Sequence, residues 1–270
     1  STAARVITAI VAVLLIAGTV TLYLVIAHVH PVTDPDDMAG ILSSYAGMGL
    51  LVCLVFATLS GPIIRGLVRL VRALPFAGTA GFLASREASA RPRLTQALVV
   101  PITLAAAAVG IMAAWINELT NVMAAQAGST EEVNAPPRQM ALLLGGPVIV
   151  ACVCASAIVF ATASHRRADN ALLLVSGVTP GVIRAKALVE AGIHAVICLI
   201  CAYGIVVVND VSMAKALSAG PVPSVPILAP GWQAAGVVAV GIALTLLLLL
   251  VVTADGMRRN PVTTITGGHQ

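Results

Sequence analysis

His165-Arg166-Arg167-Ala168-Asp169-Asn170-Ala171-Leu172-Leu173-Leu174-Val175-Ser176-Gly177-Val178-Thr179-Pro180 is a short basic, then amphipathic segment that ends in a Ser-Gly turn. It sits between two apolar runs, near 141–163 and 186–208, each long enough to cross a bilayer as a helix. A connection this small has no room for a fold of its own. A helix there with Leu172, Leu173 and Val175 on its apolar face needs the membrane surface or another protein to cover it.

Composition agrees with the flanks. The 270-residue chain is 59% hydrophobic and 10% charged, with a mean hydropathy of +1.01. Soluble domains carry about 25% charged residues, so this chain cannot clothe a surface in polar groups and is read as an integral membrane protein. Four further apolar stretches, near 6–28, 40–62, 98–116 and 233–254, bring the expected crossings to six. The first is too long for the apolar core of a signal peptide, and Ala27-His28-Val29-His30 makes a poor cleavage site, so it reads as a retained span. The opening Ser1-Thr2-Ala3-Ala4-Arg5 reads as an excerpt from a longer polypeptide or as a processed chain.

Charge orients the spans. Arg65, Arg69, Arg72, Arg86, Arg91 and Arg93 fall in 63–97, and Arg166, Arg167, Arg184 and Lys186 in 165–186. Arg5, Arg258 and Arg259 complete a set that alternates strictly with connections dominated by acids such as Asp34, Glu118 and Asp210. Six spans with both termini cytoplasmic satisfy the positive-inside rule, whereas five or seven break it. Basic residues spread between spans make no continuous face for nucleic acid.

Few residues can carry chemistry. Glu190 and His194 are four apart, hence on one helix face inside the fifth expected span. They read either as an intramembrane polar pair for proton relay or half a metal site, or as an interfacial carboxylate near Arg184 or Lys186 plus a hydrogen-bonded histidine. Cys152 with Cys154, and Cys198 with Cys201, lack a matching ligand set and read as small apolar packing residues, so no metal site is assigned. Ala105–Ala108 with Gly110, Ala113 and Ala114 on the third span, and Gly145, Gly146, Ala151, Ala155 and Ala161 on the fourth, are the small residues that close helix packing in lipid uses. No phosphate-binding Gly-rich loop, His-Glu-x-x-His helix or Gly-x-Ser-x-Gly elbow occurs, so the chain is not expected to be an enzyme.

Residues 165–192 resemble the cytoplasmic segment of FtsX/MacB-like ABC transporter permeases. Arg166 and Arg167 match that family's basic pair, and Asp169 stands where Glu is usual. Ala171, Leu172 and Leu173 follow in register, Gly177 and Thr179 match the turn, and Glu190 falls at the later acidic position. Leu174, Ser176 and Val182 depart from the pattern. Leu83-Ala84-Ser85-Arg86 with Arg91-Pro92-Arg93-Leu94-Thr95 resembles the basic linker ahead of a permease unit.

The resemblance implies an all-α polytopic protein of the cell inner (plasma) membrane. Its parts would be a helix pair over 1–62, a basic cytoplasmic linker over 63–97, a four-helix permease unit over 98–254, and a cytoplasmic tail over 255–270. A short coupling helix at about 166–176 would dock on an ABC ATPase subunit through Arg166, Arg167, Asp169, Leu172, Leu173, Gly177 and Thr179. ATP and Mg would sit on that partner and no cofactor on this chain. A second permease half or an identical copy would complete the transporter, exporting a lipid, peptide or drug-like substrate or transmitting force. From the residues alone, an ATP-independent carrier or channel and a non-transporting scaffold stay open.

Overall fold

Proline sets where the long helices begin. The computed structural model describes residues 2–28, 35–73, 79–126, 137–218 and 232–258, and among these residues there are seven helices and no strand. They are α1 (Thr2–His28), α2 (Pro35–Ala73), α3 (Thr79–Ala90), α4 (Pro92–Gln126), α5 (Pro137–Val175), α6 (Pro180–Ser218) and α7 (Trp232–Arg258). α2, α4, α5 and α6 each open on proline, whose missing N–H is no loss in a first turn and whose fixed φ suits a helix. A residue ahead of proline disfavours the helical region, and Arg91 alone separates α3 from α4. Its N–H reaches Glu87 O at 3.1 Å, and its carbonyl accepts from Leu94 N at 3.1 Å and Thr95 N at 3.2 Å. The break is therefore a tight elbow.

Helix length exceeds what a bilayer needs. α2, α5 and α6 each run 39 residues and α4 runs 35, whereas about 20 residues cross the hydrocarbon. Val6–Val25, Gly47–Val71, Pro92–Ile116 and Pro180–Ser212 are long and apolar enough to cross a membrane. α5 and α7 carry shorter apolar stretches among the described residues, Cys152–Ala161 and Ala235–Leu248. Large apolar side chains such as Leu14, Ile149, Val153 and Leu247 are mostly exposed. Such a surface belongs in lipid rather than water, and the protein is membrane-embedded and helical throughout its described residues apart from short turns.

These boundaries bear on two expectations. The stretch expected as a separate coupling helix is the last part of α5, unbroken from Pro137. Ser164-His165-Arg166-Arg167-Ala168-Asp169-Asn170 contains no Gly or Pro to stop a helix. The stretch expected as a linker is also mostly helical, comprising the end of α2, then α3, then the start of α4. Residues 74–78 and 259–270, parts of the expected linker and tail, lie outside the described residues.

The chain forms two units. The first comprises Ser1–Ser60, Thr103–Val148 and Ile200–Val237. Its core includes Met48 and Phe56 of α2, Ala105, Ala106 and Ala107 of α4, and Ala202 and Val206 of α6, all buried. A Cβ on Gly49 would stand 2.8 Å from Ile111 Cγ2, so α2 and α4 approach there as only glycine allows. The expectation of small-residue packing thus holds on α4. It does not hold at Gly145, with open space around it, or at Gly146, which is exposed.

The second unit comprises Gly61–Ile102, Ile149–Leu199 and Val238–Gln270. Leu98, Val159 and Ala163 form a buried cluster, with Leu94, Ile158 and Leu248 packed against it. Gly241 faces Ile102 Cγ2, which a Cβ would meet at 3.1 Å. Two ion pairs, Arg91–Asp169 and Lys186–Glu87, lie within this unit.

Candidate functional site

The end of α5 is closed by backbone geometry. Val178 N–H donates to Leu173 O and Gly177 N–H to Leu174 O, both at 3.0 Å, the paired bonds of a Schellman motif. Gly177 takes φ +89°, a left-handed conformation that costs an L-residue about 1–2 kcal/mol. Thr179 O then accepts from Val182 N at 3.0 Å and Ile183 N at 3.3 Å, so Thr179 caps α6 and Pro180 opens it. Only four residues, Ser176 to Thr179, separate the helices. The turn is short and hydrogen-bonded, not a slack loop.

Of the expected contact residues, Leu172 is 58% exposed, and Val175, three residues on and so on the same face, is 67% exposed. Leu173 is half-buried and Ala171 is buried. Gly177 and Thr179 are exposed. The Arg166 and Arg167 backbones lie in α5, and their side chains lie outside the described residues. Asp169 faces the elbow, where Arg91 Nη2 meets its Oδ2 at 2.9 Å. An arginine from the α3–α4 junction therefore holds the last turns of α5.

The start of α6 is tied to the same elbow. Ile183, Lys186, Ala187, Glu190, Ala191, His194, Ile197 and Cys198 are all buried, a stripe at helical spacing. Lys186 Nζ contacts Glu87 Oε2 of α3, with the lysine side chain 9% and the glutamate side chain 19% exposed. Glu190, one turn on, lines a cavity of about 10 Å³ with Glu87, Ala88, Arg91, Leu94 and Thr95. That space suits one water molecule and no organic ligand. Thr95 Oγ1 donates to Ala88 O at 3.4 Å, bridging the elbow.

Glu190 and His194 therefore do share one face, as their spacing requires, and both are buried. Glu190 lines one cavity with Glu87, while Arg184 is exposed. Sequence reading missed Glu87 and Arg91 as partners. A signal was present: Glu87 is the one acid in a stretch that holds six arginines.

The five cysteines are thiols rather than disulfides. Cys198 Sγ donates to Val99 O at 3.7 Å, a packing role that joins α6 to α4. Among the described residues no cluster of three or more His, Cys, Asp or Glu is placed to hold a metal.

The arrangement is a hydrogen-bonded turn with an exposed apolar tip, and one ion pair joins each of its two helices to the α3–α4 elbow. Compared with known proteins, the chain matches no family model, no curated protein and no solved structure.

Proposed function

We propose that this chain is the permease subunit of an ABC transporter of the FtsX/MacB-like type. It crosses the membrane six times with both termini cytoplasmic, and a separate ATPase subunit grips the α5–α6 turn. One observation carries the reading. Leu172 and Val175 stay exposed side by side at the tip of a 39-residue helix whose end is locked by a Schellman turn into α6. An apolar tip on a rigid arm fits insertion into a groove on a partner. ATP and Mg would be bound by that partner, whose closure would move α5 and α6 together because only four residues join them. A second permease half, identical or not, would complete the assembly. Its work would be extrusion of a lipid, peptide or drug-like substrate, or transmission of force.

Replacing both Leu172 and Val175 by Asp tests this. Both are exposed, so folding should change little, whereas the ATPase subunit that co-purifies with the wild type should be lost. If the double variant retains the ATPase and its turnover, the handle reading fails. Labelling of Gly177→Cys from outside the cell alone would place the turn on the wrong side and end the proposal.

One observation favours the ATP-independent carrier or channel. α6 buries Glu190, His194, Asn209 and Asp210 in a single apolar helix, and ionisable groups inside spans commonly line transport routes. Substrate flux by the purified chain without any ATPase would select that reading.

A further inference from the structure

We propose that α3 is a membrane-surface anchor whose outer face binds anionic phospholipid headgroups. This rests on α2 and α4 crossing the membrane and is independent of any ATPase partner. α3 buries Gly81, Ala84, Ser85 and Ala88 and turns Phe82, Arg86 and Ala90 outward. Phe82 is 55% exposed, and the Arg86 guanidinium lies over its ring, 5.0 Å from the centroid. Stacking holds the guanidinium plane, leaving its edge free to meet the paired oxygens of a phosphodiester.

Connectivity places this face at a membrane surface. The apolar stretch of α2 ends at Val71 and that of α4 begins at Pro92. Two crossing helices joined by so short a segment leave and re-enter the bilayer on the same side, and α3, one residue from the start of α4, lies on that side close to the boundary. An aromatic ring with a basic stem suits the boundary, the ring entering the headgroup layer and the charge staying at phosphate depth.

Charge selects the lipid. Among the described residues of this unit the exposed charged side chains are Arg65, Arg69, Arg86, Arg91, Arg93 and Arg184. Of its acids, Glu87, Asp169 and Glu190 are half-buried or buried, Glu87 and Asp169 are engaged with Lys186 and Arg91, and the side chain of Asp255 in α7 lies outside the described residues. The exposed charge among the described side chains is therefore of one sign, complementary to an anionic bilayer.

The test uses the full chain carrying Phe82→Trp in phosphatidylcholine vesicles with or without phosphatidylglycerol, the lipids brominated near the glycerol. Fluorescence quenching is compared with that of the parent chain. Added quenching should appear, strengthen with phosphatidylglycerol and weaken with salt. Arg86→Gln should lower the apparent affinity for phosphatidylglycerol about fivefold, as one arginine at such a surface contributes. Native mass spectrometry of the unsubstituted chain and its Arg86→Gln variant gives a second readout, with fewer retained phosphatidylglycerol molecules expected in the variant. Three results would overturn the proposal: an introduced indole open to aqueous quencher and untouched by bromolipid, one shielded by inorganic phosphate alone, or one shielded only when a soluble protein is added.

Discussion

Replacing Lys186 by Met should destabilise the protein far more than replacing Asp169 by Asn, although each change removes one partner of one ion pair. The Arg91–Asp169 pair has its side chains 42% and 36% exposed. Water competes for such charges, and exposed pairs contribute about 0–1 kcal/mol. Lys186 and Glu87 are 9% and 19% exposed, so losing Lys186 strands a desolvated carboxylate beside the cavity that Glu190 also lines. Breaking a buried pair from one side costs about 3–5 kcal/mol, more than a hundredfold in the unfolding equilibrium. Reversible unfolding of the purified chain by titrating SDS into mixed micelles measures both. The double change Glu87→Gln with Lys186→Met should recover most of the loss, because neither member of the pair then leaves the other's charge stranded. If Lys186→Met costs no more than Asp169→Asn, or the double variant loses the sum of its single changes, the elbow is not held as argued.

Gly177→Ala meets nothing within 4 Å, so its cost is purely conformational at about 1–2 kcal/mol. Gly177→Asn should cost less, and SDS titration would show that order. Gly49→Ala drives a methyl to 2.8 Å from Ile111 Cγ2 and should cost about 1–3 kcal/mol. Adding Ile111→Ala, which removes the atom in the way, should recover part of that in the same titration. His194→Ala, at a site 2% exposed, should lower stability by about 1–3 kcal/mol while leaving transport by the reconstituted complex nearly unchanged. Complete loss of transport would make His194 a working part of the route.

Much of the fold was legible because it rests on local rules. Apolar runs marked α1, α2, α4 and α6. With six arginines and by resemblance, 63–97 reads as a basic cytoplasmic linker. Yet Leu67, Val68, Leu70 and Val71 continue the helical pattern of α2, and Arg91-Pro92 sets the elbow by proline sterics alone. The helix that the resemblance places at about 166–176 is the last part of α5, where no breaker interrupts the chain. The Arg91–Asp169 and Glu87–Lys186 pairs were out of reach for another reason. Their partners are 78 and 99 residues apart, by difference of the residue numbers, and no local pattern records which distant arginine meets which carboxylate.

Helix α1 and helix α4 differ in a way that bears on how freely each can change. Only 6% of the apolar window of α1 is buried, against 67% for α4. For α1 almost any greasy side chain should serve, since lipid accommodates shapes without preference. At Ala106 and Ala107, wholly enclosed in α4, one extra methyl group has to displace a neighbour. The first helix is thus a loosely moored passenger, and variation between copies of this protein should accumulate there while the alanines of α4 stand still.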